Sequence, residues 1–142
     1  MGWSALFSLT NAIALVAWAL LILGPRGQKT AAIILYFGVG LLCLAYTVFY
    51  VAQIEGIFQG DMTGIAGIKA LFESDGVVVL GRTHYLAFDL FIGQWIAKDA
   101  DHKGFSRIFQ APILLLTLVA GPIGLLIWLV IRERRARAAA RG

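Results

Sequence analysis

Apolar residues fall into four blocks along this chain, separated by short polar or glycine-rich stretches. The blocks cover about 5–23, 31–54, 77–97 and 112–131, and each approaches the ~20 residues that a helix needs to cross a bilayer core. The pattern predicts an all-α fold. It is a four-helix transmembrane bundle in a single domain, residues 1–142, with a basic tail at 132–142. Gly24-Pro25 ends the first block, and Pro112 suits the start of the fourth helix. Gly121-Pro122-Ile123-Gly124 predicts a bend in that helix. The first block reads as a retained helix rather than a signal peptide. Residues 1–4 carry no Lys or Arg, and no small-residue cleavage site follows Leu23.

The second loop, 55–76, is the long one. Within it Ile65, Ile68, Leu71 and Phe72 recur at helical spacing. This predicts a short amphipathic helix lying on the membrane surface. Gly56, Gly60, Gly64 and Gly67 have the spacing of a helix-dimer signature but lie outside the apolar blocks, so they are not read as one.

Composition narrows the class. Of 142 residues, 60% are hydrophobic and 14% charged, against ~25% charged in soluble domains. Mean hydropathy is +0.83, which excludes a soluble fold. Cys43 is the single cysteine, sits in an apolar stretch and reads as a small hydrophobe. Net charge is +4, and Arg132, Arg134, Arg135, Arg137 and Arg141 crowd the tail. A basic tail directly after an apolar helix points to lipid headgroups, not nucleic acid. An even helix count puts both chain ends on one side. Arg26, Lys29, Lys98, Lys103 and Arg107 then lie opposite the tail, so charge alone does not set orientation. A cytoplasmic C-terminus is the preferred reading.

The third block holds the chemistry. Asp89 lies within an apolar run, where an acid must be paired, protonated or facing a wet cavity. A carboxyl in low dielectric favours its protonated form unless a cation sits close. That is the form a general acid needs. At ~100° per residue, Arg82, Tyr85, Asp89, Gly93 and Ile96 fall on one line, and His84, Ala87, Phe91, Gln94 and Trp95 fall opposite. Polar groups on both faces predict a helix enclosed by its partners. His84 and Asp89 are ~140° apart and do not form a dyad. Arg82 is ~10 Å along the axis from Asp89 and pairs with it only by reaching inward. On the second helix, Tyr46, Tyr50 and Gln53 share a face. They line a groove for a flat conjugated lipid or else pack the bundle. Asn11 and Thr117 are candidates for interhelical hydrogen bonds. The two histidines, His84 and His102, stand at different depths. No metal-ligand cluster, phosphate loop or cofactor fingerprint is present, so no metal or cofactor is expected.

Two segments carry a family resemblance. The first is His84-Tyr85-Leu86-Ala87-Phe88-Asp89-Leu90-Phe91, continuing to Trp95-Ile96-Ala97-Lys98-Asp99. The second is Leu114-Leu115-Leu116-Thr117 with Gly121-Pro122-Ile123-Gly124-Leu125-Leu126. Together they resemble the neoxanthin-synthase-like membrane family, named for a plant abscisic-acid-deficiency locus. The stretch from Gly64 to Phe72 is similar to the family's region before its third helix. The resemblance implies a small four-helix membrane protein, here a bacterial member. Plant members are implied in opening the epoxide of violaxanthin to make neoxanthin. Motif matching puts His84 and Asp89 at the family's marked positions. At or near Gln94 the family carries Arg, and Gln supplies no permanent cation.

The expected function is an intramembrane isomerase acting on a carotenoid or related isoprenoid, with Asp89 as acid and His84 as base or relay. Arg82, Tyr85, Gln94, Tyr46, Tyr50 and Gln53 are the candidate substrate-binding residues. Expected partners are membrane lipids and the isoprenoid, with a homodimer compatible with the small bundle. The expected location is the bacterial cytoplasmic membrane. The alternatives are a non-catalytic carotenoid- or lipid-binding protein and a small transporter or proton channel. The lack of an inverted repeat weakens a carrier.

Overall fold

The computed structural model describes residues 2–139, with side chains through Arg135. All regular structure among the described residues is helical. Helix α1 spans Trp3–Leu23. Helix α2 spans Gln28–Ala52 and contains a π-helical stretch at Ile34–Gly40. Two short helices follow, α3 (Ile54–Gln59) and α4 (Ile65–Leu71). Then come α5 (Asp75–His102), α6 (Arg107–Val119) and α7 (Gly121–Ala139). The surface helix expected in the second loop corresponds to α4. Of the tail arginines, Arg141 and the Arg137 side chain lie outside the described residues.

Helices α1, α2 and α5 meet through small residues. A Cβ on Gly38 would stand 2.9 Å from Ala17 and 3.0 Å from Leu90. A Cβ on Gly93 would strike the Trp18 ring. Lipid chains are as apolar as leucine, so helices in a bilayer associate by close fit, and small residues permit it. The buried set around these contacts includes Ala14, Trp18, Leu42, Leu86, Leu90 and Ile96.

By length and composition, α1 and α2 are the two helices, among the described residues, that are long and apolar enough to cross a membrane. Helix α5, at 28 residues, reaches roughly 42 Å but carries Arg82 and Asp89.

The fourth block departs most from expectation. It is not one crossing helix bent at Gly-Pro. The chain leaves helical geometry at Ala120 (φ −145°, ψ 71°) and turns back on itself. A Cβ on Gly124 would strike Thr117; in a continuous helix those two residues would stand roughly 10 Å apart. Farther from the turn, Phe105 meets Trp128 edge-on at 5.2 Å, and the Arg135 guanidinium lies 4.3 Å over the Phe105 ring. Helices α6 and α7 are therefore an antiparallel hairpin. Its 13-residue arm reaches about 20 Å, too short for a core ~30 Å thick. Pro112 also moves. It stands inside α6, which begins five residues earlier, where the Ser106 side chain accepts from the Phe109 N–H at 3.3 Å.

The hairpin overturns the expected placement of the chain ends. Arg132 pairs with Asp99, Arg107 donates to the Ile22 and Gly24 carbonyls, and Arg26 pairs with Asp101. The first tail arginines thus share one end of the bundle with Arg26, Lys103 and Arg107, not the opposite end. Trp3 and Phe49 pack at the other end, so the N-terminal segment and the last helix turn exit oppositely.

Helix α5 is also not enclosed all round. Its buried stripe is Thr83, Leu86, Ala87, Leu90, Gly93, Gln94, Ala97 and Ala100. Along its other side Tyr85, Phe88, Phe91 and Trp95 are exposed.

Candidate functional site

The residues singled out in the sequence separate into three places along α5. The first is a cleft near the end that holds Trp3. It has a volume of about 190 Å³ and is lined by Tyr46, Tyr50, Met62, Phe72, His84 and Tyr85, among others. The i, i+4 spacing sets Tyr46 and Tyr50 on one face of α2, and their rings stack at 6.1 Å. The His84 ring lies 5.6 Å from Tyr46, 4.7 Å from Phe88 and 6.0 Å from Tyr85. Helix α4 closes the cleft with Ile68 and Leu71. The cleft offers apolar and aromatic walls, one imidazole and three phenols. That suits a flat ring with a polar substituent, and a proton donor and acceptor lie within the same wall.

Gln53 is not part of that lining. Its amide packs on Gly76 and accepts from the Ser74 hydroxyl at 3.3 Å, fastening α2 to the start of α5.

The second place is the hairpin tip. Asp89, half-buried, has its carboxylate against Gly121, where a Cβ would collide with it. Arg82 does not reach in to pair with it. The Arg82 Nε and Nη2 donate to the Asn11 Oδ1 at 3.3 and 3.1 Å, linking α5 to α1. Asn11 therefore forms the interhelical bond expected of it. Thr117 instead bonds within its own helix, to the Ile113 carbonyl at 2.8 Å. Asp89 and His84 face different neighbours, consistent with their separation around the helix.

The third place is the basic end. Gln94 is buried and donates from Nε2 to the Ala31 carbonyl at 2.6 Å. It lines a pocket of about 410 Å³ with Arg26, Gln28, Thr30, Lys98, Asp101 and His102. Beside it stands a network not anticipated from the sequence. Asp99 accepts from Trp128 Nε1 at 3.0 Å, Arg132 Nε at 2.8 Å and Lys103 Nζ at 2.7 Å. Asp99 lies beyond the apolar run that ends at Ala97. Burial alone would raise its pKa, but the hydrogen bonds and charges of Arg132 and Lys103 outweigh burial and hold it below the usual carboxylate range. Two i, i+4 pairs, Asp99 with Lys103 and Trp128 with Arg132, were the available signal. Burial also lowers the Arg26 pKa, with Asp101 opposing and Arg107 adding to the shift.

Comparison with known proteins adds a family. The family model described as ABA4-like, ABA DEFICIENT 4-like, matches residues 5–128. The human protein "Transmembrane protein 276" is 30% identical over 80 residues, which is 56% of this chain and 41% of that protein. The chain thus spans about two-fifths of the length of the curated relative it matches. No solved structure matches.

Proposed function

Because this chain belongs to the ABA DEFICIENT 4-like family, we propose that it is an integral membrane isomerase of isoprenoids. It holds the end group of a carotenoid or related isoprenoid at His84 and rearranges it by proton transfer. In this reading α1, α2 and α5 cross the bilayer, and the α6–α7 hairpin enters from the basic end and turns back at mid-depth. Among the described residues, Arg26, Lys29, Lys98, Lys103, Arg107, Arg132, Arg134 and Arg135 gather at that end, against Lys69 and Arg82 toward the other. The positive-inside rule then turns the basic end to the cytoplasm of a bacterial host and the N-terminal segment away from it.

The observation that carries the proposal is the aromatic cleft around His84. A volume of about 190 Å³ takes one ring, not a whole pigment. The exposed row of Tyr85, Phe88 and Phe91 offers a path for the polyene. The chemistry is an isomerisation with no change in composition. An acid gives its proton to the epoxide oxygen as a C–O bond breaks. A base takes a proton from a neighbouring carbon, and the C–H electron pair becomes the new double bond. The product carries a hydroxyl, and no redox partner takes part. His84 lines the cleft and is the base or relay. Asp89, which lies outside the cleft lining at the hairpin tip, is the acid, and its proton reaches the epoxide oxygen through bridging water.

A second reading, a pigment-binding protein without catalysis, is favoured by the seat of Asp89 against Gly121. Expression in a host making epoxy-xanthophylls, followed by chromatography of the pigments, separates the two. The isomerase predicts a new isomer of unchanged mass that disappears in His84→Gln and Asp89→Asn. Unchanged pigment that copurifies with the protein and is lost in Tyr46→Ala supports the binding protein. Neither outcome means that the cleft holds no such pigment.

A further inference from the structure

The pocket at the basic end lies on the opposite side of the bundle's length from the His84 cleft, and it stands independently of the isomerase reading. Its polar wall brings Arg26 and Lys98 together with His102, Gln28 and Thr30, against one acid, Asp101. Arg26 is held in place on one side. Its Nη2 donates to Gln110 Oε1 at 2.9 Å, and its Nε stands 3.7 Å from Asp101 Oδ2, too far for a hydrogen bond. That Nε is buried without a hydrogen-bond partner. The rest of the guanidinium is not sealed: the Arg26 side chain keeps 24% of its surface exposed, and arginine meets phosphate oxygens through charge-assisted hydrogen bonds. Lys98 is exposed and has no ion-pair partner among the described residues.

The other wall is apolar, formed by Leu20, Leu21, Ala31 and Ile34. About one turn deeper on the same two helices, a groove of about 300 Å³ runs along Ile13, Val16, Ala17, Phe37 and Gly38. The π-helical stretch in α2 includes Phe37 and Gly38. A polar, cationic mouth thus stands about one turn above an apolar furrow on the same faces of α1 and α2.

We propose that this mouth and furrow bind one phosphate-headed lipid, its phosphate on Arg26 and Lys98 and its chain along Val16 and Phe37. The charge selects an anionic head, and an apolar furrow one turn away on the same helix faces selects an amphiphile over a free anion. Guanidinium and ammonium donors both favour phosphate at the depth of lipid headgroups.

Binding to the full chain in phosphatidylcholine nanodiscs tests this, with dioleoyl phosphatidic acid, dioleoylglycerol and inorganic phosphate as probes, read by native mass spectrometry. Phosphatidic acid is expected to be retained and dioleoylglycerol not. Lys98→Gln is expected to weaken retention about tenfold, the effect of one charge-assisted contact. Val16→Trp, which fills the furrow without touching the mouth, is expected to weaken it comparably. Arg26→Gln should do the same, but Arg26 also braces Gln110, so Lys98→Gln and Val16→Trp decide. Equal retention of dioleoylglycerol overturns the head assignment. Full competition by inorganic phosphate, with Val16→Trp unaffected, overturns the lipid and leaves a free-phosphate site. Retention unchanged in both deciding variants overturns the site.

Discussion

The carboxylate of Asp89 lies directly on the backbone of Gly121, at the turn where α6 reverses into α7. The contact joins the one acid in the apolar stretch of α5 to the tip of the hairpin. A Cβ there would occupy the space of the carboxylate, so the Asp89 side chain would have to move aside.

Gly121→Ala is therefore expected to destabilise the protein by roughly 1–3 kcal/mol, the usual cost of overpacking. The cost should shrink in an Asp89→Ala background, where the obstructing group is gone. A double-mutant cycle by unfolding in detergent measures the coupling. Additive costs would mean that the two residues do not touch.

Asp99 predicts a pH dependence. Its folded-state pKa is depressed, so its stabilising effect is present above the ordinary carboxylate pKa and is lost as pH falls through the depressed value. Asp99→Asn should lower stability by roughly 2 kcal/mol at neutral pH, as expected for hydrogen bonds to a charged group. The gap from the native chain should close on acidification. Melting temperatures of both forms across pH check this; a gap constant with pH would contradict it.

The hairpin predicts a labelling pattern. Cysteines placed at Ser106 and Arg134, in a Cys43→Ser background, should react with a membrane-impermeant maleimide from the same side. One at Thr63 should react from the other side. Ser106 and Arg134 labelled from opposite sides would restore a fourth crossing helix.

Gln94→Leu should destabilise by roughly 1 kcal/mol, the scale of an interhelical hydrogen bond in a membrane, because the bond to the Ala31 carbonyl is lost. Pigment handling should be unchanged, since Gln94 lies outside the His84 cleft. Altered pigment products in a stably folded Gln94→Leu would join the two sites.

The helices were legible in the chain where periodicity or length alone decides. Blocks 5–23 and 31–54 correspond to α1 and α2, and the spacing of Ile65, Ile68 and Leu71 corresponds to α4. The shared face of Tyr46 and Tyr50 was legible from i, i+4 spacing. The hairpin was not. A single run of apolar residues reads alike whether it crosses or doubles back, and Gly121-Pro122 permits a kink or a reversal. What decides is pairing across the turn, Gly124 on Thr117 and Phe105 on Trp128. Those residues lie 7 and 23 positions apart, beyond any local pattern. The charge tally failed for the same reason, since it counted a crossing that the chain does not make. The partner of Arg82 was missed because helical geometry on α5 says nothing of Asn11 on α1.

In the arrangement proposed above, a hairpin that turns back at mid-depth leaves the two leaflets unequally furnished with protein. On the basic side five helical rods stand together; beyond the tip at Gly121 only three continue. There the exposed edge of α5 bearing Tyr85 and Phe88 would border acyl chains, beside the cleft that α4 closes. The proposed isoprenoid would then drift in sideways from the surrounding lipid and arrive beside the imidazole with no aqueous vestibule to cross.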